Sequence, residues 1–284
     1  MTGQARDMKP TLVLGGTGKT GRRVAARLEG RGLPVRIGSR SAEPRFDWQD
    51  TATWHPALDG VGSVYISYHP DLAVPGAVET VGAFAEVAVQ SGVSRLVLLA
   101  ARGEAEGTLA EQAVRASAAE LTILRSSWFM QNFSEDFILE HVRSGQIALP
   151  AGGTPEPFVH ADDIADVAVA ALTEDGHVGQ RYELTGPRLL TFSEAADEID
   201  RASGRELRYL PVSIEQHAAT AAEQGVPPEF VELLTYLFSE LLDGRNAHLS
   251  DGIQRALGRE PRDFADYARD AAATGVWDAS TVSQ

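Results

Sequence analysis

The sequence predicts an α/β fold: a doubly wound, mostly parallel sheet followed by a small helical C-terminal cap. Three observations predict it. Short β-rich runs alternate with helical segments along most of the chain. An apolar run, Thr11–Leu14, feeds straight into a glycine-rich turn, and a helical pattern starts near Lys19. Beyond residue 205 the alternation stops and short helices dominate. The expected organisation is therefore a flexible N-terminus at 1–9, a sheet domain at 10–205, and a helical cap at 206–284 with contributions from 126–160.

The first turn reads Leu14-Gly-Gly-Thr-Gly-Lys-Thr-Gly21. Gly16, Gly18 and Gly21 fit G-x-G-x-x-G, and Gly15, Gly18 and Gly21 fit its G-x-x-G-x-x-G variant. Both patterns answer one physical need: a tight turn, a backbone that a pyrophosphate can approach, and a helix packed close on the sheet. Gly15, Gly16, Thr17, Gly18, Lys19, Thr20 and Gly21 are accordingly the candidates for holding a dinucleotide on a Rossmann sheet. Gly18-Lys19-Thr20 also resembles the tail of a triphosphate-binding loop. That loop places a glycine five residues before Gly18, where Val13 stands.

The next elements follow in order. A helix presents Val24 and Leu28 on one face and ends at Gly30 and Gly32. The second strand, Val35–Gly38, ends on Ser39 and Arg40. An NAD site places an acidic residue at this tip for the ribose 2′-hydroxyl. A guanidinium fork and a hydroxyl suit a 2′-phosphate instead, so the expected cofactor is NADP(H). A short strand is expected at Arg45–Asp47. Asp47 and Trp48 fit an adenine contact, or equally a turn residue and a core ring. Strands Ser63–Ser67, Arg95–Ala100, Leu121–Arg125 and Arg181–Leu184 alternate with helices over 76–90, 108–118, 133–143 and from Asp162 or Asp163 to Leu172. Thr191 with Glu194, and Ser213 with Gln216, have capping-box spacing and open two further helices.

Composition narrows the function. The chain of 284 residues has no cysteine, which excludes disulfides and cysteine-held metals, and no cluster has metal-ligand spacing. A net charge of −15 argues against nucleic acid as partner. No apolar run reaches membrane-span length and the first residues form no secretory segment, so a cytoplasmic protein acting on a small molecule is expected, its oligomeric state left open.

One absence is informative. Lys9 and Lys19 are the only lysines, and all six tyrosines lie further along, so no Tyr-x-x-x-Lys pair exists. The strand ending at Ala100-Ala101-Arg102 carries no serine. Without that general acid, the compatible outcomes are an electron-poor acceptor, an iminium first and quinones next, or nucleotide binding without catalysis.

Gly-Gly-Thr-Gly-Lys-Thr-Gly at 15–21, Leu-Thr-Ile-Leu-Arg at 121–125, Pro-Phe-Val-His-Ala-Asp-Asp-Ile-Ala at 157–165 and Leu184-Thr-Gly-Pro187 resemble the NmrA-like, atypical short-chain dehydrogenases. Trp128-Phe-Met-Gln-Asn-Phe-Ser-Glu135 and Gly258-Arg-Glu-Pro-Arg-Asp-Phe264 resemble the ergot-alkaloid festuclavine and agroclavine dehydrogenases and their bacterial relatives. The resemblance implies an NADPH-dependent oxidoreductase of specialised metabolism whose acceptor is a cyclic imine or iminium. It also allows the alternative of a non-enzymatic NADP-binding redox sensor. The family carries serine where Ala100 and Ala101 stand, and Gly-Lys-x-His-Glu where this chain has Gly107–Glu111.

Candidate site residues follow from position. Ala100 lies at a strand end on the cofactor side. Tyr68 and His69 follow the strand at 63–67 and fit either a ribose or substrate contact or a loop under the cap. Trp128, Phe129 and Met130 offer an aromatic wall for a flat substrate or plain core packing. Asn132, with Gln131, orients a carboxamide or caps a helix. Arg102 suits a carbonyl or carboxylate. Tyr236 and Phe238 close the cap or pack in it. His160, with Tyr68, is the remaining candidate for a catalytic proton donor.

Overall fold

The computed structural model describes residues 9–278. Among the described residues, eight strands form two sheets: β1 Thr11–Leu14, β2 Val35–Gly38, β3 Ser63–Ile66, β4 Arg95–Ala101, β5 Glu120–Ser126, β6 Gln146–Leu149, β7 Arg181–Leu184 and β8 Arg208–Pro211. The helices are α1 Gly21–Gly30, α2 Trp54–Leu58, α3 Ala77–Gln90, α4 Ala105–Ala116, α5 Asn132–Glu135, α6 Leu139–Arg143, α7 Ala161–Thr173, α8 Phe192–Ser203, α9 Ile214–Glu223, α10 Pro228–Tyr236, α11 Gly252–Leu257 and α12 Phe264–Ala273. Residues 1–8, most of the expected flexible N-terminus, lie outside the described residues.

Six strands make one sheet in the order β2-β1-β3-β4-β5-β7. The chain leaves β1 towards β2 and then crosses to β3, so the strand order reverses between β1 and β3. Leu12 pairs in parallel register with Arg36 on one side and Val64 on the other. All four residues of β1 are buried, which is why its sequence is a continuous apolar run rather than an alternating one. Val24, Ala25 and Leu28 turn the buried face of α1 inward. Arg23 and Arg27 clamp α1 to α7 through Asp162 and Asp166, at 3.1 and 2.5 Å.

The described chain falls into two compact units. The first contains the chain up to Ser126, with 161–183 and 252–258; its core is the sheet's Leu12, Leu14, Val64, Ile66, Leu96 and Leu98 against α3 and α4. The second comprises 127–160, 184–251 and the chain from Arg259 on. It holds the small parallel sheet β6–β8, with Ile147 opposite Tyr209, and a core of Phe133, Phe158, Phe192, Phe264 and Trp277. Of the expected cap at 206–284, residues 252–258 sit in the first unit.

Several local expectations are corrected. No strand forms at Arg45–Asp47. Pro44 precedes it, the Phe46 amide donates to the Ser39 carbonyl at 2.9 Å, and the Asp47 carboxylate captures the Gln49 amide. The strand alternation does not stop at 205, because β8 pairs with β6. The helix expected over 133–143 splits into α5 and α6 at Asp136, whose backbone is extended. α1 begins at Gly21 rather than Lys19, and Asp162 and Asp163 lie in the first turn of α7 rather than capping it. Both capping boxes form as expected, at Thr191–Glu194 and Ser213–Gln216.

Candidate functional site

In the first unit, the loop between β1 and α1 is a bare backbone turn. Gly15 has φ +64°, a left-handed conformation that suits glycine, and its carbonyl accepts from the Gly18 amide at 2.8 Å. A Cβ on Gly21 would stand 2.1 Å from that same carbonyl oxygen. Only hydrogen fits there, so the first turn of α1 abuts the loop directly. Thr17 and Gly18 are exposed at its crest. Thr20, at the start of α1, makes no side-chain cap. Its hydroxyl instead accepts from the Tyr65 phenol of β3 at 3.0 Å. Burial pushes that phenol up, so it stays a neutral donor.

At the tip of β2, Arg40 is exposed and Ser39 is half-buried. The loop folds back on the Ser39 carbonyl, which accepts from the amides of Ala42 and Phe46. Asp47 is committed within its own loop. One carboxylate oxygen takes the Gln49 amide and the other the Arg45 guanidinium at 2.6 Å, and the amide bond and that cation together hold its pKa below the usual range. Trp48 stands edge-on to Phe46 and Phe84 and tilts against Tyr68, with centroids 4.9 Å apart. The structure thus brings Trp48 and Tyr68 together, as one wall of an aromatic corner.

Beyond β4, Ala100 is buried. Arg102 is 3% exposed and donates to Glu183 at 3.0 Å. Arg125 grips Glu111 with two nitrogens, at 2.5 and 2.9 Å, and Arg181 reaches the same carboxylate at 3.0 Å. These pairs tie α4, β5 and β7 together. Asp71, after β3, and Glu104, after β4, form a carboxyl pair that no sequence pattern signals.

In the second unit, Trp128 lies edge-on to Phe192 and tilted on Phe238, at 5.5 and 5.2 Å. Phe129 is bridged to Val159, and the Met130 amide donates to the Val159 carbonyl at 2.9 Å. Met130 is 1% exposed, inside the aromatic core, and Asn132 is buried at the start of α5. Gln131 and His160 are hydrogen-bonded side chain to side chain at 3.0 Å, with the His160 ring edge-on to Tyr267. Tyr236 is half-buried at the end of α10.

Among the described residues no group of acidic, histidine or cysteine side chains has the arrangement of a metal site, and no helix is long and apolar enough to cross a membrane.

No family profile matches the chain. An uncharacterized oxidoreductase of Bacillus subtilis is 33% identical to it, over 94% of this chain and 98% of that one. Festuclavine dehydrogenase of Aspergillus fumigatus is 32% identical, over 90% and 96%. The fold is also that of the Citrobacter triphenylmethane reductase complexed with NADP(H), with a TM-score of 0.73 at 22% identity over 92% of this chain and 99% of that one.

Proposed function

We propose, for a chain that belongs to the NmrA-like, atypical short-chain dehydrogenase family beside the clavine dehydrogenases, an NADPH-dependent reductase that delivers hydride to an activated small organic acceptor, a cyclic imine or iminium first. The glycine turn carries this reading. Gly15, Gly18 and Gly21 leave a backbone with no Cβ at the amino end of a ten-residue helix whose first residues have no side-chain cap from Thr20, and such an end favours a pyrophosphate. Arg40 and Ser39, at the tip of β2, answer a 2′-phosphate, and Trp48 with Tyr68 offers a ring surface on the adenine side. Bound there, the nicotinamide coenzyme supplies a hydride and its electron pair.

The chain's own contribution is placement. An iminium carbon is already positive, so hydride quenches the charge and no proton moves in that step. The missing Tyr-x-x-x-Lys pair is then no loss, and rate comes from holding the acceptor in line. For the acceptor we assign Trp128 and Tyr236 as the contacting rings, Asn132, Phe129 and Met130 as the residues that set their position, and His160 with its Gln131 partner as a polar contact. The π system of a tryptophan such as Trp128 attracts a flat cation.

The test is coenzyme consumption. Purified protein is expected to oxidise NADPH in the presence of an N-methylated cyclic iminium and to prefer NADPH over NADH. Tight NADPH binding without turnover on iminium, quinone or ketone acceptors would instead identify a nucleotide sensor.

A further inference from the structure

One pair of side chains in the first unit takes no part in that reading. Asp71 follows β3 and Glu104 follows β4, so both stand beyond the carboxyl ends of adjacent parallel strands. Open α/β sheets bind their ligands at this edge. Glu104 is 2% exposed, and neither of its carboxyl oxygens completes a hydrogen bond of regular geometry among the described residues. Its Oε2 lies over the α-carbon of Gly107, 3.2 Å from where a Cβ would stand. Asp71 is partly exposed, and its Oδ1 accepts from the Ala73 amide at 2.9 Å. The two carboxyl groups stand against each other.

Two apposed carboxyl groups in a poorly hydrated place do not both ionise. Burial above all, and then the charge of Asp71, push Glu104 up to about 9. Glu106, in the first turn of α4, adds repulsion to both members, and the Gly107 amide opposes it at Glu104. Burial raises Asp71 as well. At neutral pH the pair therefore carries one proton between four oxygens.

We propose that Asp71 and Glu104 are a one-proton store at the sheet edge, from which the partly exposed Asp71 protonates the nitrogen of a neutral imine as hydride reaches its carbon. The inference rests on the reductase reading above and deepens it by naming the source of the proton that a neutral imine needs and a permanent iminium cation does not. The step balances. The C=N π bond opens, the hydride pair makes the new C–H bond, and the nitrogen lone pair takes the proton from the carboxyl O–H. A secondary amine and a second carboxylate result. Repulsion within the pair then draws a proton back from solvent. Asp71 is the catalytic residue of this step, and Glu104 is a positioning residue that keeps the shared proton from being lost to bulk water.

The experiment compares wild type, D71N and E104Q, each saturated with NADPH, on dihydroisoquinoline and on its N-methyl iminium salt, at about pH 8 where much of the imine is neutral. The ratio of the neutral-imine rate to the iminium rate is expected to fall by roughly 10²-fold in both variants, the lower range for loss of a general acid. An unchanged ratio, including one in which both rates fall together, overturns the proposal. A second readout needs no coenzyme. Infrared spectra of the protein alone should show a carboxylic-acid carbonyl band persisting at neutral pH in wild type and missing in E104Q; its absence from wild type also overturns the proposal. If wild type reduces neither acceptor while the band is present, the reductase reading has failed and the proton's destination with it, a result distinct from failure of the pair.

Discussion

The core of the first unit is mainly aliphatic, and the core of the second is markedly richer in rings. Leu12, Leu14, Val64, Ile66, Leu96 and Leu98 pack between the six-stranded sheet and its helices, with ring-on-ring packing concentrated in the corner of Phe46, Trp48, Trp54 and Phe84. In the second unit Phe133, Phe158, Phe192 and Phe264 meet mostly edge to face, at 5.1 to 5.9 Å. The difference follows from the backbone. A six-stranded ladder fixes where side chains stand, so aliphatic groups need only fill the space. The two-stranded β6–β8 sheet fixes little, and orientation comes from ring quadrupoles and specific polar ties. Trp277 donates from its indole to the Phe133 carbonyl at 2.8 Å, and Arg188 binds both Asp263 and Glu198 at 2.8 Å. A unit held by its ladder can spare one edge for a loop of bare backbone. A unit held by its rings has less slack.

That contrast can be broken by substitution. Phe158→Ala has the largest expected effect. Phe158 is 2% exposed and touches three other rings, so its loss should lower unfolding free energy by about 3–5 kcal/mol in chemical denaturation while NADPH affinity per folded molecule holds. Arg40→Asp should do the reverse. NADPH binding, read by calorimetry, is expected to weaken by roughly 1.5–3 kcal/mol, with stability within about 0.5 kcal/mol of wild type because Arg40 is exposed. Equal loss of stability and affinity in both variants would show that the units do not divide the work this way. Tyr65→Phe probes the link between sheet and loop: it deletes the donor to Thr20 inside a filled core, and about 1 kcal/mol of stability should go with it. Arg27→Ala is the smallest. Its pairs with Asp162 and Asp166 are partly solvated, and the change expected in a thermal melt corresponds to about 0.5 kcal/mol.

Legibility in the sequence tracks how local the determining contacts are. The glycine turn was readable because everything it needs lies between Val13 and Gly21. The two capping boxes were readable because four residues contain each of them. The buried strands of the large sheet announced themselves as apolar runs. β6 and β8 did not: β6 alternates, with Ile147 and Leu149 buried and Gln146 exposed, but over only four residues, and β8, equally short, is mostly exposed. Arg45–Asp47 looks extended by composition, but Asp47 spends its carboxylate on the local turn. The Asp71–Glu104 pair had no signal at all. The two residues are distant in sequence, and what makes them unusual is the removal of water around them. For the same reason the grip of Arg125 and Arg181 on Glu111 emerges only when β5, β7 and α4 are assembled.

The connectivity of the first unit has a consequence for synthesis. Its sheet receives β7 and the covering helix α7 only after the chain has run through 127–160, and α11 arrives after the long excursion through 184–251. Gly252 then seats against the β7 backbone so tightly that a Cβ would meet the Glu183 carbonyl at 2.1 Å. On the ribosome, the nucleotide-type half therefore cannot be finished first and set aside while the other half is made. Nearly the whole polypeptide has to emerge before either half is complete, and a gene cut near residue 126 or 205 encodes no self-sufficient piece.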